Sequence, residues 1–63
     1  MQIQTITVDG QTLEMERRRY GETTYTWVYL VAHGNRLQLG DPWPVLNPKR
    51  TEIREALAEV ATR

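Results

Sequence analysis

The chain lacks cysteine and phenylalanine, has one histidine, and carries no net charge, its 63 residues holding eight basic and eight acidic side chains. Without cysteine there can be neither a disulfide framework nor a thiolate metal site, which fits a reducing compartment and sets a cytoplasmic location as the expectation. The lone His33 has no cysteine or second histidine to join it in a metal site or a catalytic triad, so no metal or other cofactor is expected. No apolar run approaches the ~20 residues of a transmembrane helix, and nothing resembles a signal peptide, so no membrane partner is expected. Balanced charge also argues against a protein that coats nucleic acid or lipid by bulk attraction. So short a chain reads as one domain over residues 1–63 of modest stability, because small domains bury a lesser share of their surface. Self-association is the natural supplement.

What is present is a set of alternating segments joined by turn signals. Asp9-Gly10 lies between Ile6-Thr7-Val8 and Gln11-Thr12-Leu13, a strong hairpin signal because both turn positions tolerate positive φ. Further reversals at Gly21-Glu22 and His33-Gly34 predict strands near residues 2–8, 11–19, 24–32 and 36–40. With two-residue loops, these turns assemble Ile6, Val8, Leu13, Met15, Val28, Leu30, Leu37 and Leu39 on one face. A one-residue slip at any of them would scatter the set. Ile3 falls on the opposite face and calls for a bulge near Gln4 or for partial exposure.

After Leu39, Gly40-Asp41-Pro42-Trp43-Pro44 ends the fourth strand, since proline cannot donate to a ladder and holds the residue before it extended. Asn47-Pro48 reads as a helix N-cap with proline in the first helical position. Ile53, Leu57 and Val60, flanked by Ala56 and Ala61, form a narrow apolar stripe for a helix near residues 48–61. The fold class is therefore α+β: an antiparallel meander of four strands, or of three at the least, with one C-terminal helix packed on the aliphatic face, in the order β-β-β-β-α.

The other face is the candidate site. It gathers Tyr25, Trp27, Tyr29 and Val31 from the third strand, Arg36 and Gln38 from the fourth, and Glu16 and Arg18 from the second. Arg18 lies across from Tyr25, and Glu16 across from Trp27. Tyr, Trp and Arg are enriched at protein interface hot spots, since each joins a large flat contact area to a polar handle. Trp27, Tyr25, Tyr29, Arg18 and Arg36 are the expected partner-binding residues. The neighbouring Arg17 and Arg19 point the other way, near the sheet rim, as a solvated strand end that discourages edge pairing. Lys49 and Arg50 fall in the first helical turn, where the helix dipole disfavours positive charge, so an anion such as a phosphate could offset the cost. Glu52, Glu55 and Glu59 share the outer side of the helix as a solvated stripe.

Catalytic chemistry is not expected, so the chain reads as non-enzymatic. His33 is explained by turn geometry, Glu14 and Glu16 lack a cleft to work in, and Gly34 and Gly40 bracket a strand without opening a helix. Trp27-Val28-Tyr29-Leu30, Gly34-Asn35-Arg36-Leu37-Gln38-Leu39-Gly40 and Glu52-Ile53-Arg54-Glu55-Ala56-Leu57 together resemble the layout of plant AP2 domains and integrase arm-binding domains. Those domains lay a three-stranded sheet, followed by one helix, in the DNA major groove. The resemblance implies DNA contact by Arg18, Tyr25, Trp27, Tyr29 and Arg36, with Lys49 and Arg50 on phosphates. Glu14 and Glu16 depart from what such a reading face needs. Two functions follow. The first is a small phage- or mobile-element-type inhibitor or adaptor that binds a partner protein through the aromatic face, with a homodimer expected beside it. The alternative is a DNA- or RNA-binding domain that uses the same face and the basic helix start.

Overall fold

Left-handed backbone at a few turn residues sets the strand pairing. Asp9 and Gly10 have φ of 51° and 77°, and His33 and Gly34 have φ of 53° and 76°, so each pair closes a two-residue hairpin with the twist its strands require. Gly21, at φ 63°, opens the second turn of this kind. The computed structural model describes residues 2–61. Its strands are β1 (Gln2–Val8), β2 (Gln11–Tyr20), β3 (Thr23–Ala32) and β4 (Asn35–Gln38), followed by one helix, α1 (Arg50–Ala61). The strands form one antiparallel sheet in the order β1-β2-β3-β4.

The register agrees with the turn chemistry. Ile6 faces Leu13, Leu13 faces Leu30, Met15 faces Val28 and Leu30 faces Leu37. Val8, Leu13, Met15, Val28, Leu39 and Ile53 make the buried core, with Ile6, Leu30, Trp43, Ala56, Leu57 and Val60 packed around it. Each aliphatic side chain so buried contributes roughly 1.5 to 3 kcal/mol.

Four expectations are corrected. Leu37 shares the aliphatic face but is 48% exposed. A single helix covers a limited width of sheet, and β4 lies at the sheet edge, where Leu37 falls outside the core cluster. Of the two alternatives for Ile3, exposure is the one that holds: β1 pairs with β2 residue for residue from Gln2 to Val8, and Ile3 is left 56% exposed. The helix starts later than the Asn47-Pro48 signal implies, because the Lys49 carbonyl accepts the Ile53 amide at 3.2 Å and Arg50 is the first helical residue. Pro48 is buried just ahead of the helix.

The third correction concerns the connector, which does not leave the sheet after β4. Leu39 donates its amide to the Val28 carbonyl at 2.8 Å, so pairing with β3 continues past the end of β4. Gly40, at φ 64°, and the residues after it then loop out, and Trp43 rejoins the sheet by exchanging both backbone hydrogen bonds with Thr26, at 2.8 and 2.9 Å. Thr26 is fully buried beneath this strap, and its hydroxyl donates to the Val45 carbonyl at 2.7 Å and to that of Leu46 at 3.1 Å. The fourth correction is Arg17, which is not a solvated strand end. It donates to the Leu46 carbonyl at 2.8 Å, to Asn47 Oδ1 at 2.9 Å and to Gln4 Oε1 at 3.0 Å. The Asn47 side chain serves this clamp where a helix cap was expected.

Candidate functional site

Strand alternation carries even-numbered residues of β2 and β4, and odd-numbered residues of β3, to the face opposite α1. Across the β2–β3 ladder Arg18 is opposite Tyr25, Glu16 opposite Trp27, and Glu14 opposite Tyr29. On the other side of β3, Gln38 is opposite Tyr29 and Arg36 opposite Val31. The sheet thus brings Tyr25, Trp27, Tyr29, Arg18 and Arg36 together as expected from the sequence.

Their contacts form two linked groups. At the β2–β3 turn, the Tyr20 ring stands edge-on to Tyr25 at 5.9 Å and to Trp27 at 6.2 Å, while Tyr25 and Trp27 are tilted together at 6.3 Å. Such edge-to-face arrangements set the positive rim of one ring against the negative face of another. The Arg18 guanidinium lies 5.7 Å from the Trp27 ring centre and 3.4 Å from a Glu16 carboxylate oxygen. Farther along, the Arg36 guanidinium sits 4.1 Å from the Tyr29 ring centre and 2.9 Å from Glu14 Oε1. Both arginines are therefore held over a ring and neutralised by a carboxylate of the same face. Tyr20, by hydrogen bonding, and then Glu16, by its charge, push the Arg18 guanidinium further above its already high pKa.

Two features escaped the sequence reading. Tyr20, 55% exposed, belongs to the aromatic group, and the parity that puts Arg18 on this face would have found it. Glu16 is only 6% exposed, because it sits between its ladder neighbours Ile3 and Trp27 beneath Arg18. The carboxylates that counted against DNA contact are thus built into the face as fixed counter-ions.

The basic helix start is placed elsewhere. Arg50 donates to the Thr7 carbonyl at 3.2 Å on β1, so it braces helix against sheet, and Lys49 is exposed beside it. Among the described residues no group of three or more side chains is placed to hold a metal ion. His33 occupies its turn at positive φ. On the helix side, one shallow depression of about 270 Å³ is lined by Leu30, Arg54, Leu57 and Val60 among others. A second, of about 370 Å³, has Leu39 and Trp43 with Asp41, Glu52, Glu55 and Glu59 around it. Neither includes a residue of the aromatic group. Comparison with family models, with curated proteins and with solved structures gives no match.

Proposed function

We propose that this chain is a small non-enzymatic binding protein, of the inhibitor or adaptor kind that phages and mobile elements encode in the cytoplasm of their host. Its partner is a protein, gripped by Trp27, Tyr20, Tyr25 and Tyr29 with Arg18 and Arg36 at the sides. The observation that carries this reading is the internal neutralisation of both arginines by Glu16 and Glu14 on a face crowded with rings. A nucleic-acid surface needs cations left available for phosphates, whereas a protein hot spot needs large flat side chains in fixed rotamers. Stacking and ion pairing hold these side chains in place before a partner arrives, which lowers the ordering cost of binding.

The test is calorimetric titration of a partner captured from the native host against folded variants. Trp27→Ala is expected to lose about 2 kcal/mol or more of binding, with Tyr25→Ala and Tyr29→Ala losing less. Lys49→Glu should change little, and affinity should vary weakly with salt. A steep salt dependence, together with loss of binding in Lys49→Glu and none in Trp27→Ala, would replace this reading with the nucleic-acid one.

A further inference from the structure

The two sheet edges differ in a way that the aromatic face does not explain. In the β1–β2 hairpin the loop Asp9-Gly10 is closed by the Val8–Gln11 pair, so Val8, Ile6 and Gln4 turn their backbone groups toward β2. Thr7, Thr5 and Ile3 then turn theirs away from the sheet, and the Arg50 guanidinium on the Thr7 carbonyl confirms that direction. Among the described residues, Arg50 is the side chain that reaches these outward groups.

Natural sheets defend an edge with charge, proline, a bulge or brevity. The β4 edge has three such defences: it is four residues long, it carries Arg36, and it runs into Gly40-Asp41-Pro42. The β1 edge has none of them. Gln2–Val8 is an uncharged seven-residue strand without proline, its pairing has no bulge, and its outermost apolar side chain, Ile3, is 56% exposed.

We propose that β1 is the joint of a symmetric homodimer, in which a second copy adds its own β1 antiparallel to the first. A two-fold axis at Gln4 sets Ile3 of each copy opposite Thr5 of the other, so that the outward amides and carbonyls of both residues are satisfied. This register ends where Arg50 holds the Thr7 carbonyl, and it leaves that bond intact. The second copy is the fitting occupant because an uncharged strand meets itself without repulsion, and because the two-fold sends the two Arg50 side chains to opposite ends of the joint. A head-to-tail joint would instead have to use the short, defended β4 edge. The two exposed Ile3 side chains come within diagonal cross-strand reach and cover each other. Since the axis stands perpendicular to the sheet, both aromatic faces lie on one side of a continuous eight-stranded sheet and both helices on the other. The dimer therefore offers a partner two copies of the same surface.

This inference does not depend on what the aromatic face binds. Sedimentation of the full chain at rising concentration should show a monomer–dimer equilibrium reached by the high micromolar range. Over that range the amides of Ile3 and Thr5, exposed in the monomer, should slow in hydrogen exchange by about tenfold or more. Ile3→Lys should abolish the dimer and leave the circular dichroism unchanged, because Ile3 lies outside the core. Thr5→Pro should do the same, since the Thr5 amide makes no bond within the monomer. If Thr5→Pro does not fold, Ile3→Lys and the exchange data decide alone. A chain that remains monomeric at high micromolar concentration overturns the proposal, and so does a dimer that survives Ile3→Lys or leaves the Ile3 and Thr5 amides in fast exchange. A dimer dissolved by Trp27→Ala alone would place the joint on the aromatic face and overturn it equally.

Discussion

At the scale of single residues, Thr26 and Arg17 do the work of tying the irregular connector to the sheet. Thr26 is a polar side chain at zero exposure, tolerated because its hydroxyl is shared between two carbonyls of the strap. Thr26→Val keeps the shape and removes the bond. It should cost about 0.5 to 1.5 kcal/mol in urea denaturation, toward the lower end because Val45 and Leu46 are exposed and water can take over their carbonyls. Arg17→Ala should leave the four-stranded ladder intact while the Trp43 amide exchanges faster, since the guanidinium fixes Leu46 and Asn47 at the far end of the strap. His33→Ala should alter stability by no more than about 1 kcal/mol, as alanine and histidine both pay for left-handed backbone at that turn.

At the scale of elements, the packing of α1 decides which leucines matter. Leu13 and Leu39 are fully buried, and Leu39→Ala should cost about 2 to 5 kcal/mol even though Leu39 lies beyond the end of β4. Leu30 and Leu57 border a surface depression and are only partly covered, so truncating either should cost clearly less than Leu39→Ala in the same melts. The four strands and their register were legible in the sequence because Asp9-Gly10, Gly21-Glu22 and His33-Gly34 each dictate a two-residue loop. Alternation then assigns every side chain to a face, and so the aromatic group. The strap was not legible: Pro42 and Pro44 do end a ladder, but the return of Trp43 to Thr26 depends on a hydroxyl and a guanidinium from strands far away in the chain. The late helix start has the same origin, since Asn47 is held by Arg17 and is not free to cap. Exposure of Leu37 against burial of Leu39 follows from where one helix crosses a sheet, which strand periodicity does not encode.

At the scale of the whole molecule, stability should be small. Native domains hold roughly 0.05 to 0.15 kcal/mol per residue, which for this chain is about 3 to 9 kcal/mol, and unfolding in urea should be a single transition in far-ultraviolet and fluorescence signals alike. Salt should move that midpoint little, because the ion pairs Arg36–Glu14, Arg18–Glu16 and Arg54–Asp9 involve partly exposed guanidinium groups. The strap has one more consequence, for observing the molecule. It sends Trp43 to the core on the helix side, whereas β3 presents Trp27 on the opposite face. The two indoles of the chain thus divide the sheet between them as separate fluorophores. With Trp43→Phe, the remaining emission comes from the aromatic face and should respond to partner capture without any attached dye. With Trp27→Phe it comes from Trp43 on the helix side, packed against the core, and should change only when the fold is lost.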